Sequence, residues 1–128
     1  EYPDATLTEP SDISPSGEIV GHYRSRDGRI HAFLLSDGVF TSIDVPGAVS
    51  TGGAPGGVIG INPQGQVGGW YTATDGRRRG FVWTAGSFED VVVPGAAVTC
   101  VFGINASGWV VGNHIDSAGK EHGFLKKM

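Results

Sequence analysis

Apolar and polar residues alternate along this chain in short runs, each closed by a glycine-bearing turn. Residues 18–25 and 29–35 follow the two-residue rhythm of a half-buried strand, and Arg26-Asp27-Gly28 between them is a hairpin signal. Residues 66–73 and 77–83 repeat that arrangement around Asp75-Gly76, and residues 109–116 and 120–125 repeat it around Ala118-Gly119. A second hairpin at Ser36-Asp37-Gly38, matched by Ala85-Gly86, leads into strands over 39–45 and 87–93. These strands run into Pro46 and Pro94. Proline cannot donate to a ladder, so pairing stops or meets a sheet edge there. A short apolar strand then enters the next unit at 57–61 and at 98–104. The pattern predicts about four antiparallel strands per unit and no helix.

The units are copies of one another. Asp-Ile-Ser-Pro-Ser-Gly-Glu-Ile-Val-Gly-His-Tyr (12–23) returns at 60–71 as Gly-Ile-Asn-Pro-Gln-Gly-Gln-Val-Gly-Gly-Trp-Tyr. It returns at 103–114 as Gly-Ile-Asn-Ala-Ser-Gly-Trp-Val-Val-Gly-Asn-His. Phe33, Phe81 and Phe124 keep step at spacings of 48 and 43 residues, a period that marks a repeat architecture. The chain reads as one domain with modules at about 12–59, 60–102 and 103–128, preceded by residues 1–11. Ser14, Asn62 and Asn105 share a position three residues before a glycine, where a short polar side chain bonds its own backbone and fixes the turn. The third copy stops where its last strand is due. Residues 1–5 resemble the tail of that strand, so closure is expected to be imperfect or supplied by another chain.

Composition narrows the picture. Hydrophobic content of 39% with 17% charged residues is that of a globular domain, and 22 glycines at fixed repeat positions are turn chemistry. A net charge of −4 with no basic block gives a nucleic-acid groove no support. No apolar stretch is long enough to insert in a membrane. Cys100 is the single cysteine, within an apolar run, and is expected to be a packed thiol without an intrachain disulfide. The chain opens on Glu1 and is read as a processed or trimmed product.

Three landmarks carry a family likeness: Gly-Ile-Asn-x-x-Gly-x-Val-Val-Gly, then His31-Ala32-Phe33-Leu34 or His122-Gly123-Phe124-Leu125, then Ile43-Asp44-Val45-Pro46-Gly47-Ala48. Together they resemble the bacterial extracellular HAF repeat family; the middle copy departs from it at Arg79-Gly80-Phe81. The resemblance implies a secreted or surface-exposed, β-rich, propeller-like protein and brings no catalytic residues with it. The fold expected is therefore all-β and antiparallel, propeller-like, with about three four-stranded modules. A threefold β-prism or β-trefoil is the alternative. Three blades make a cramped ring, which a homodimer would complete.

Candidate chemistry lies where the copies differ. After the glycines at 21, 69 and 112 come His22-Tyr23, Trp70-Tyr71 and Asn113-His114. Neighbours on a strand face opposite ways, so one of each pair is expected to be exposed. Tyr23, Trp70 and Tyr71 would stack on sugar rings while Arg24, Asp27 and Asp75 bond hydroxyls; the competing reading packs these rings between sheets. His31, Arg79 and His122 share one position and would converge if it lined an axis, though Arg79 would repel a metal and no metal-ligand spacing is present. The expected function is an extracellular module binding carbohydrate or another surface ligand, with no cofactor and no metal. The alternatives are a small glycoside hydrolase using a carboxylate pair, drawn from Glu18, Asp27, Asp75, Glu89, Asp90 and Asp116, or a structural fragment of a longer repeat protein.

Overall fold

The computed structural model describes residues 2–48, 50–51 and 60–128. The chain forms three antiparallel sheets, each drawn from one continuous stretch, with no helix among the described residues. The first sheet pairs β1 (Leu7–Ile13), β2 (Ile19–Arg24), β3 (Ile30–Ser36) and β4 (Val39–Ile43) in chain order. In the second, β5 (Ser50–Thr51) and β6 (Gly60–Ile61) share one edge of β7 (Val67–Thr72), followed by β8 (Arg78–Thr84) and β9 (Ser87–Val91). The third pairs β10 (Ala96–Ile104), β11 (Trp109–Asp116) and β12 (Glu121–Lys127). Residues 12, 60 and 103, where the sequence repeat begins, fall inside β1, on β6 and inside β10. The hydrogen-bonded unit thus takes in the strand before each Ile-Ser or Ile-Asn turn. Of the apolar strand expected over 57–61, residues 57–59 lie outside the described residues.

Local chemistry explains the turns. Asp37-Gly38 (φ 49° and 77°) and Ala85-Gly86 (φ 48° and 94°) are both left-handed, the geometry whose twist suits a two-residue hairpin. The shared polar position fixes its turn as expected. Asn62 Oδ1 accepts the backbone N–H of Gln64 at 3.1 Å and of Gln66 at 2.9 Å. Asn105 Oδ1 takes Ser107 and Trp109 at 3.0 Å each, and Ser14 Oγ accepts Glu18 N–H at 3.2 Å.

The glycine at 21 and 112 has a different reason. A Cβ on Gly112 would stand 1.9 Å from the Cys100 carbonyl oxygen, and one on Gly21 would stand 2.2 Å from that of Glu9. In both sheets the first strand bulges beside that glycine, between Pro10 and Asp12 and between Val101 and Gly103. β1 has no clear sequence signature because Pro10 and the polar residues around it break the alternation.

The opening residues occupy the same turn as the two Val-Pro-Gly-Ala segments. Ala5 N–H bonds Tyr2 O at 3.1 Å, as Ala48 bonds Val45 and Ala96 bonds Val93 at 3.0 Å. Asp4 takes the left-handed φ of 61° that Gly47 and Gly95 take in the other two. Within this chain the turn beds against the first sheet: the Tyr2 ring stacks on Tyr23, with centroids 3.7 Å apart.

Two apolar clusters join the sheets, and both use equivalent positions. Val20, Ala32 and Ile43 of the first sheet, with half-buried Leu34, pack with Ile61, Val67, Tyr71 and Phe81 of the second. Val82 and Val91 of the second pack with Val101 and Val110 of the third, joined by Ile104 and Phe124. Val82 and Val91 are the repeat equivalents of Leu34 and Ile43, while Ile104, Val110 and Phe124 match Ile61, Val67 and Phe81. One face of the first sheet is therefore covered by the second, and the equivalent face of the second by the third. Fully burying each of these side chains contributes roughly 1.5–3 kcal/mol.

Candidate functional site

The repeat sets two positions opposite each other on the second and third strands of every sheet. Tyr23 faces His31, Tyr71 faces Arg79, and His114 faces His122 across the ladder. Among the described residues His31, Arg79 and His122 do not meet one another; each is bonded inside its own sheet. His31 Nδ1 lies 2.7 Å from Asp44 Oδ1 and its Nε2 2.9 Å from Ser25 Oγ. The hydrogen-bond relay continues from Asp44 through Ser42 (2.9 Å) to the Tyr23 hydroxyl (2.8 Å). Arg79 pairs with Asp75 at 2.8 Å. His122 Nε2 lies 2.9 Å from Asp116 and its ring stacks on His114 at 5.0 Å.

Ser25, His31 and Asp44 have the order of a hydrolytic triad, but the Ser25 hydroxyl is shared among Asp27, the Arg29 carbonyl and His31. The third sheet puts a carboxylate, Asp116, where the first has Ser25, and holds its histidine in the same way. That substitution identifies the position as a brace for the ring. A nucleophile would need the hydroxyl proton directed at His31.

Three of the six candidate carboxylates are likewise occupied. Asp27 and Asp75 accept the backbone N–H groups of Arg29 (3.0 Å) and Arg77 (2.9 Å), and Asp116 accepts those of Ala118 and Lys120. Each sits below the ordinary carboxylate pKa. The Ser25 hydroxyl does most of this for Asp27, the Arg77 backbone N–H for Asp75, and His122 for Asp116. A glycosidase's general acid needs the opposite shift.

The rings expected to form a platform lie inside the molecule. Tyr23 and Tyr71 are each 7% exposed and Trp70 3%. Burial pushes the Tyr23 phenol up to about 12 and raises Tyr71 as well, with Asp90 adding to the latter. His22 is also buried, its Nε2 3.2 Å from a Glu9 carboxylate oxygen without hydrogen-bond alignment. Arg24 is exposed at the end of β2.

Trp70 and Asn113 nevertheless meet, in a groove of about 240 Å³ where the second and third sheets adjoin. Arg78 lies over the Trp70 ring, 4.8 Å from its centroid, and Asn113 donates to Glu121. Val98, Phe102 and Ile115 supply apolar wall, and Cys100 is a buried thiol whose pKa burial raises. The Trp70 indole N–H is buried with no hydrogen-bond partner. The sequence reading missed Arg78 and Glu121. The signal was present: position 30/78/121 changes from isoleucine to arginine to glutamate across the copies.

Among the described residues no group of three or more His, Cys, Asp or Glu is placed to hold a metal ion. Nor is there among them a helix long and apolar enough to cross a membrane. No protein-family model and no curated protein matches the chain, so its functional reading rests on its own residues.

Proposed function

We propose that the chain is an extracellular, propeller-like β-repeat module of the HAF type that binds carbohydrate in the groove between its second and third sheets. The observation carrying this reading is the groove that Trp70, with the Arg78 guanidinium over its ring, forms with Asn113 and Glu121 where the two sheets adjoin. The rest of the lining suits a sugar. Val98, Phe102 and Ile115 match the apolar C–H face of a pyranose, while Arg78, Asn113 and Glu121 supply donors and acceptors for its hydroxyls. The propeller-like reading is supported by the way the second sheet covers the first and the third covers the second, in the same sense twice over.

The test is polysaccharide affinity electrophoresis followed by calorimetric titration of any glycan retained. Arg78→Ala removes the guanidinium from the groove wall, and Asn113→Ala removes a groove amide. Each is expected to weaken binding about tenfold, equivalent to about 1.4 kcal/mol. Retention of no glycan by the unaltered chain, or unchanged affinity in both variants, overturns the reading.

A further inference from the structure

The two outermost sheets leave uncovered the same positions that are buried between sheets inside the molecule. Val20 on the first sheet is fully buried under the second; its equivalent on the third, Val111, is 51% exposed. Leu34 and Val82 are likewise covered, whereas their equivalent Leu125, paired with Val111 across the ladder, is 66% exposed. At the other end, Ile61 is 6% exposed and its first-sheet equivalent Ile13 is 61% exposed. Beside it lies an apolar hollow of about 230 Å³ whose walls include Ile19, Phe33, Leu35 and Phe40. The corresponding Val67, Phe81, Trp83 and Phe88 of the second sheet are occupied by packing against the first.

We infer that this chain associates head to tail with a second copy of itself, the Val111–Leu125 face of one copy seating on the Ile13–Phe40 face of the next. The occupant follows from the interior of the molecule. The chain already buries this pair of faces against each other twice, and Val111, Leu125 and Ile13 stand at positions used in those pairs, with Val111 and Leu125 on a third sheet that has no counterpart of Ile43 and Val91. Because the faces differ, the contact is heterologous. It closes into a ring if the rotation per copy permits, and otherwise runs on as a filament. Apolar side chains exposed at both ends of the stack are the usual mark of such a surface.

Sedimentation velocity on the 128-residue chain at micromolar concentration tests this, with Val111→Asp disabling one face and Ile13→Asp the other. Both residues are exposed in the single chain, so an unchanged circular dichroism spectrum and melting curve are expected. The unaltered chain is expected to sediment as a dimer or larger, and each variant alone as a monomer. An equimolar mixture of the two variants joins through the one face pair left intact and stops at a one-to-one dimer. A monomeric unaltered chain, variants that still self-associate, or a mixture that stays monomeric overturns the inference. Glycan titration of monomeric Ile13→Asp keeps this outcome separate from the groove reading, since Ile13 lies on the first sheet and the groove between the second and third.

Discussion

Two kinds of glycine hold this fold, and they fail differently when changed. Gly119 has a left-handed φ of 83° with nothing near its Cβ direction, so Gly119→Ala meets only backbone strain, roughly 1–2 kcal/mol. Gly112 has an ordinary φ but no room, because the Cys100 carbonyl would lie 1.9 Å from an added Cβ. That obstacle is backbone in a paired strand and moves only if β10 separates from β11. Gly112→Ala is therefore expected to exceed the usual overpacking cost of about 1–3 kcal/mol. Urea denaturation of the two variants checks the order; a smaller loss for Gly112→Ala would mean that the bulge relaxes. The same scale explains the aromatics. Tyr23, Trp70 and Tyr71 sit on half-polar strands, and alternation alone does not tell which face a neighbouring sheet covers.

At the level of the strand and its turn, the polar residue before each glycine is the organising device. Asn62 is 1% exposed, and beyond its two turn acceptances it donates to Gln66 Oε1 at 2.8 Å and to Asn105 O at 3.0 Å. It ties the turn of the second sheet to that of the third. Asn62→Ala leaves buried donors unsatisfied and is expected to cost roughly 2–3 kcal/mol. Asn105→Ala lies in an exposed turn where water replaces the amide, and about 1 kcal/mol is expected. Paired thermal melts check the difference, and equal losses would remove the bridging role from Asn62. The turn role and nearly every hairpin were legible in the sequence because they depend on residues close together in the chain. β1 was not, since Pro10 and its polar neighbours hide a strand that exists through its partner β2. The groove was half legible. Trp70 and Asn113 stood out as breaks in the repeat, but their meeting depends on how two sheets abut, which no local pattern encodes.

Across the whole molecule, depressed carboxylates are spread one to a sheet: Asp27, Asp75 and Asp116. Each has a folded pKa below its ordinary value of 3.8, so its contribution to stability is fully present above that pH and is lost as pH falls through the lower folded value. The melting temperature should stay flat from neutrality to about pH 5 and drop below about pH 4 as the three protonate. Asp116→Asn should lower it at neutral pH and make the acid decline shallower. A variant whose melting temperature follows the parent at every pH would show that the Asp116 carboxylate contributes no charge-dependent stability.

Each sheet is built from one continuous stretch of the chain, and this has a consequence for how the protein forms. Every ladder can close as soon as its own forty or so residues are available, without waiting for distant sequence. A chain emerging from a ribosome or a secretion pore can therefore fold one sheet at a time, each finished face templating the next. The single cysteine sets no oxidation step along that route.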